Sequence, residues 1–262
     1  MNNFYEALHT ETLKLFRSKV PLFTALGFSM APLMGGLFMI ILKNPEAAKS
    51  LGLITTKAQL LTGTAEWSSF FNFMAQAVAA GGMVLFSIIT IWVFGREFSD
   101  HTVKELLALP TSREAIITAK LIVIALWSLV ITLLILGISL VVGKLVVIPG
   151  WSTELFQTSF TGIIGTALLT LPLISFVALL ASTGRGYMPP FAWVFLTLIL
   201  ANLSAILGWG DWFPWAVPAL FSGATGQQAE VLGLHSYVIV MVTGIIGFIA
   251  TYLWWRNADQ TR

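Results

Sequence analysis

Six stretches of this chain, residues 21–42, 70–94, 121–142, 155–184, 187–208 and 236–255, are apolar runs that contain no Asp, Glu, Lys, Arg or His. At 1.5 Å per helical residue each can cross a hydrocarbon core of about 30 Å. Such a core offers no water to unpaired backbone groups, so only helices or closed barrels cross it. The pattern therefore predicts an all-α integral membrane protein with six transmembrane helices, forming a single transmembrane domain over residues 1–262. An even number of spans returns the chain to its starting side.

The segments between the runs carry their own periodicities. Over residues 3–20, Phe4, Tyr5, Leu8, Thr12, Leu13, Leu15, Phe16 and Val20 share one helical half, with Glu6, Thr10, Lys14 and Arg17 opposite. That predicts an N-terminal interfacial helix over 1–20. The run after it exceeds the 7–15 apolar residues of a signal peptide, so the segment is expected to be retained.

Residues 94–120 hold eight of the chain's 26 charged residues. Ser99 or Asp100 can cap a short helix with Phe98, Thr102, Val103, Leu106, Leu107 and Leu109 on one side. Pro110 ends it, and Thr111 with Glu114 forms a capping-box pattern that restarts a helix through Lys120. A two-faced helix in this place rests on the headgroups or offers a ridge to a partner in the water phase. Glu97 is read as structural, with an ion pair to Lys120 or to an N-terminal cation; Arg96 and Arg113 belong to the same set of ion-pairing residues. Residues 209–234 form an outer loop with Trp209, Trp212, Trp215, Pro214 and Pro218. Its rings suit the headgroup level, and its prolines suggest a turn dipping back into the protein.

Charge sets the orientation. One set of connections carries Lys14, Arg17, Lys19, Arg96, Lys104, Arg113, Lys120, Arg185, Arg256 and Arg262, and the other carries Lys43, Lys49, Lys57 and Lys144. Ten against four places both termini and the 94–120 link in the cytoplasm. Apolar residues at 57% and charged residues at 10% fit membrane rather than water. A net charge of +2 spread over span ends offers no nucleic-acid surface.

Candidate chemistry is sparse. There is no cysteine, and His9, His101 and His235 lie on separate segments, so neither a disulfide nor a metal site is expected. Gly137 to Lys144 superficially matches a phosphate loop, but five residues separate its glycines and Leu145 replaces the required hydroxyl. Asn72, Gln76 and Asn202 are the strongest polar groups in the runs and suit interhelical hydrogen bonds at least as well as cargo contact. Gly27, Ala31 and Gly35 repeat every four residues, a small-residue face for close helix packing within the chain or against a second copy.

Arg96-Glu97, Thr102, Leu106-Leu107, Pro110-Thr111-Ser112-Arg113 and Lys120 together resemble the cytoplasmic signature of type-2 ABC transporter permeases. The N-terminal helix, the six spans and the Phe213-Pro214-Trp215 to Pro218 turn extend the resemblance over nearly the whole chain, closest to small bacterial permeases of bacitracin-type and antimicrobial-peptide exporters. His101 departs from it, since many members have Gly there. The resemblance implies a half-transporter of the bacterial plasma membrane, without enzymatic activity of its own, that dimerises with a copy or a related permease chain. It would bind separate ABC ATPase subunits, which carry the ATP and Mg, so no cofactor is expected on this chain. The 98–109 segment would be the coupling helix, with Phe98, Thr102, Val103, Leu106 and Leu107 docking the ATPase. Its cargo is expected to be hydrophobic or amphipathic, an antimicrobial peptide or a drug; which one does not follow from the resemblance. Two other classes stay open from the residues alone: a membrane-embedded enzyme, disfavoured by the alternation of Glu97, Asp100, Glu105 and Glu114 with cations, and a membrane scaffold or immunity protein that binds a partner without transport.

Overall fold

The structure is a computed structural model and describes residues 2–44, 64–100, 102–103, 111–223 and 232–257. Its helices are α1 (Asn2–Phe16), α2 (Val20–Lys43), α3 (Trp67–Ser99), α4 (Arg113–Leu145), α5 (Thr153–Thr183), α6 (Met188–Ile206), α7 (Val217–Phe221) and α8 (Leu234–Asn257), with a 3-10 turn at Gly210–Trp212. No strand occurs among the described residues. Six of these helices, α2 to α6 and α8, are long and apolar enough to cross a membrane, as the six runs predict. At 33 residues each, α3 and α4 are about 50 Å long and outrun a hydrocarbon core by several turns.

The spans alternate in direction. At one end, here the basic end, the C-termini of α3, α5 and α8 meet α1 and the N-termini of α4 and α6. Trp255 Nε1 donates to Ser182 Oγ at 2.9 Å, and Tyr187 closes on Gly95. At the other, aromatic end, Lys43 Nζ donates to the carbonyls of Val146 and Val147, where α4 runs out of internal donors. The Trp67 amide there bonds Pro149 O, and Trp67 packs on Trp151.

α3 occupies the middle, packed on α2, α4, α5 and α6. Phe70, Met74, Val78, Phe86, Ile89 and Phe94 along it are fully buried. α8 crosses α5 where a Cβ on Gly244 would lie 2.4 Å from Pro172 and one on Gly247 2.1 Å from Ser175 Oγ. Glycine is what lets these two backbones touch. Ser175 Oγ then donates across the crossing to Gly244 O at 3.0 Å.

Only part of the small-residue face on α2 is used in this way. Gly35 approaches Phe70, Phe73 and Met74 closely, Ala31 is half-buried, and Gly27 is exposed, with only an ordinary contact of 3.6 Å from its Cβ position to Leu85. Gly36, outside the spacing-of-four pattern, comes closest of all, against Val142 of α4. The contact face follows Pro21, Thr24, Phe28, Pro32, Gly35 and Met39, with Gly27 and Ala31 on its margin.

After α6 the chain dips back into the bundle. Val217 packs with Leu169 and Leu173, half-way along α5, and Trp215 packs on Phe176 and Trp193. The turn satisfies its own backbone, with the amides of Phe213, Ala216, Val217 and Leu220 bonded to carbonyls three or four residues earlier. Trp209 and Trp212 stay exposed, so of the three tryptophans only Trp215 has left the surface.

Candidate functional site at the basic end

Lys120 lies two turns into α4 and has no exposed surface. An ammonium buried there requires compensation for each of its protons. It has three acceptors: Glu11 Oε2 at 2.9 Å, Glu97 Oε1 at 2.9 Å and Val93 O at 3.1 Å. Lys14 of α1 donates to Glu11 Oε1 and to Glu97 Oε1, both at 2.9 Å. Thr102 Oγ1 donates to Glu97 Oε2 at 2.8 Å, so every carboxylate oxygen of the pair has a donor.

Two carboxylates and two ammoniums thus cancel in charge while joining α1, α3, α4 and the first residues of the link. Burial alone would push the Lys14 ammonium down, but Glu11 and Glu97 beside it more than offset this and hold it above its ordinary 10.5. The Thr102 amide also bonds Glu97 O at 3.0 Å. The chain leaving α3 is therefore fixed by main chain and side chain to the same glutamate.

Glu97 meets both the partner and the N-terminal cation considered for it from sequence. Glu11 was not singled out there. It lies four residues from Ala7 and four from Leu15, and all three are buried; a carboxylate in that register was the available signal. α1 has three faces rather than two. Ala7, Glu11 and Leu15 turn to the bundle, Tyr5 and Phe16 are exposed apolar rings, and Glu6, His9, Thr10 and Arg17 form an exposed polar sector.

The other residues singled out take different roles. Arg96 pairs with Asp100 one turn on, Nε to Oδ2 at 2.9 Å, with its guanidinium 5.1 Å over the Trp92 ring. Arg113 ion-pairs with no carboxylate among the described residues; its Nη1 donates to Trp255 O and Arg256 O at 2.9 Å. It caps the C-terminal end of α8, where free carbonyls and the helix dipole favour a cation. Asp100 is the C-cap of α3, not the start of a new helix. The cap of α4 is Ser112, whose Oγ accepts the Ala115 amide at 3.3 Å. Glu114, expected to close a capping box on Thr111, instead accepts Tyr252 Oη.

Phe98 and Val103 are buried. Phe98 packs edge-on against Trp254 and Trp255, so these two anchor the start of the link to the bundle. Leu106 and Leu107 lie outside the described residues, as do His101 and Leu109. Among the polar residues of the spans, Asn202 donates to Leu198 O of its own helix. Asn72 and Gln76 line an open pocket between α2 and α3.

A profile described as ABC-2 family transporter protein matches residues 7–204, a reach that includes most of α1, the charged network, the link and almost all of α6. The chain belongs to the ABC-2 family of transporter proteins. This ABC-2 permease is similar to the bacitracin transport permease protein BCRB of Bacillus licheniformis, with 27% identity over 182 residues, which is 68% of this chain and 85% of that protein. No solved structure matches it. Family and six apolar helices together make it a multi-pass membrane protein and a transporter permease.

Proposed function

We propose that the chain is the permease subunit of an ATP-driven exporter whose ATP is hydrolysed on separate ABC ATPase subunits. The observation that carries this reading is the charged network: it ties Glu97 and Thr102 to α1 and α4, so force applied to the start of the link reaches three helices at once. A link that only rested on headgroups would need no such anchor, and burying three charged groups is costly unless their geometry is useful. The ten-to-four excess of Lys and Arg supports a cytoplasmic position for this end, on the side where ATPase subunits would reside. A second permease chain completes the translocation path in this reading. The resemblance to a bacitracin permease supports an amphipathic, membrane-active peptide or drug as cargo.

Since Phe98 and Val103 are occupied by the bundle, the docking face falls to Leu106 and Leu107. Small interfaces concentrate their energy in a few apolar anchors, so one truncation there costs about 2 kcal/mol. The test compares Leu106→Ala and Leu107→Glu with Lys104→Gln, measuring co-purifying ATPase and survival of host cells exposed to bacitracin. Loss of both in the leucine variants alone is expected. Full retention in the leucine variants, with the chain inserted and folded, would refute the docking face.

A further inference from the structure

A second feature of the basic end lies outside the neutral network. Between α1 and α3 is an open pocket of about 520 Å³ whose wall includes Lys14, Arg17 and Arg96. Each presents unspent donors. Lys14 Nζ uses two of its three protons on Glu11 and Glu97. Arg96 uses Nε on Asp100, and its terminal Nη groups have no partner among the described residues. Arg17 has no side-chain partner at all among them.

The carboxylates nearest this pocket do not neutralise it. Glu11 and Glu97 are balanced by Lys120 and Lys14, and Asp100 by Arg96, which leaves Arg17 as excess positive charge. Thr10 contributes a hydroxyl to the same wall, and Leu13 and Trp92 contribute its apolar part. The Trp92 ring beneath the Arg96 guanidinium holds that fork in place. A ligand matching this wall has an anionic, multi-acceptor head and an apolar body beside it.

We propose that this pocket binds the phosphate of an anionic phospholipid, with the headgroup against Lys14, Arg17 and Arg96 and the acyl chains leaving along Leu13 and Trp92. The position supports this source over a soluble phosphate. α1 carries exposed Tyr5 and Phe16 beside its polar sector, the arrangement of a helix lying in the headgroup layer, and basic pockets at that level suit anionic headgroups. The bound lipid would hold α1 against α3 from outside, while the buried network holds it from within. The inference does not depend on transport, because its readout is lipid retention.

The full chain is placed in nanodiscs of phosphatidylcholine with and without phosphatidylglycerol, and native mass spectrometry counts the lipids retained after release. Wild type should keep phosphatidylglycerol selectively. Arg17→Gln with Arg96→Gln should weaken that selectivity by about fivefold per charge removed, and Lys144→Gln at the opposite end should leave it unchanged. Both arginines are outside the buried network, and retention of the wild-type thermal midpoint in phosphatidylcholine establishes that the variants fold. Equal retention by the double variant would overturn the proposal. Protection of the wild type by inorganic phosphate as strong as that by phosphatidylglycerol would overturn the lipid as the source of the phosphate.

Discussion

At the basic end Glu11, Lys14, Glu97 and Lys120 meet through charged hydrogen bonds of 2.9 Å, whereas at the aromatic end Trp67, Phe70, Phe71, Trp151 and Phe156 meet through rings with centroids 4.9 to 6.4 Å apart. The two kinds of contact fail differently. Ring packing prefers certain tilts but rests mostly on broad apolar contact, so a displaced ring finds other surface and the loss is graded. A buried ion network has fixed donors and acceptors, and removing one member strands the others without water. The end that holds the link is thus the end where small displacements are most strongly resisted, in keeping with the coupling role proposed for it. The aromatic end deforms at lower cost.

The largest expected effect tests that contrast directly. Lys120→Met leaves Glu11 and Glu97 facing each other out of water with only Lys14 between them, a loss of about 3–5 kcal/mol. It would be read as a fall in the thermal midpoint of the detergent-solubilised chain. Adding Glu11→Gln and Glu97→Gln to Lys120→Met should recover most of the loss, because the stranded charges are gone. A single variant as stable as wild type would mean the network contributes nothing to holding the helices.

At the aromatic end the corresponding substitution is steric. A Cβ on Gly143 would lie 2.1 Å from the Trp67 ring, so Gly143→Ala must shift that ring and should cost about 1–3 kcal/mol. Trp67→Phe in the same chain should relieve part of it. No relief would place the strain in the helix backbone instead of the ring cluster.

Lys14→Gln sharpens the comparison within the network itself. Lys14 is partly exposed and Lys120 keeps a hydrogen bond to each carboxylate, so the loss should be about 1 kcal/mol, well below that of Lys120→Met. Its pH dependence follows from the raised ammonium pKa. A group held above its unfolded value contributes in full below that value, 10.5, and loses its contribution as pH rises through the folded value. The difference in thermal midpoint between wild type and Lys14→Gln should therefore be constant from neutral pH to the ordinary lysine range and shrink only above it. A difference that shrinks near neutrality would contradict the pairing.

The smallest effect belongs to a hydrogen-bonded pair outside the network. At the aromatic end His235 Nε2 lies 3.0 Å from Asp211 Oδ2, with its ring stacked 4.5 Å from Trp212. His235→Gln should cost only about 0.5 kcal/mol, since the pair is part-exposed and water can replace either partner. A loss as large as that of Lys120→Met would erase the distinction between the two ends.

The sequence by itself determined the spans, since uncharged runs of this length have few other stable fates, and it determined the separation of charge between the two ends. It also marked Glu97 and Lys120, because a charge at the very end of a span needs a partner near the headgroups. It does not mark Glu11: in the sequence the apolar wheel of α1 has two faces, and a third exists only because α4 covers one side of the helix. The cap of α4 at Ser112 was equally hidden, since Thr111 and Ser112 are chemically similar and Tyr252, which takes Glu114 away, is 138 residues distant. Gly36, Gly244 and Gly247 became close-contact sites only through the helices opposite them. The descent of residues 213–221 to mid-bundle depends on Leu169, Leu173, Phe176 and Trp193 being there to receive it. Periodicity reports which side of a helix avoids water, but which neighbour covers that side, and whether a buried charge finds its counter-charge, is decided by packing between segments far apart in the chain.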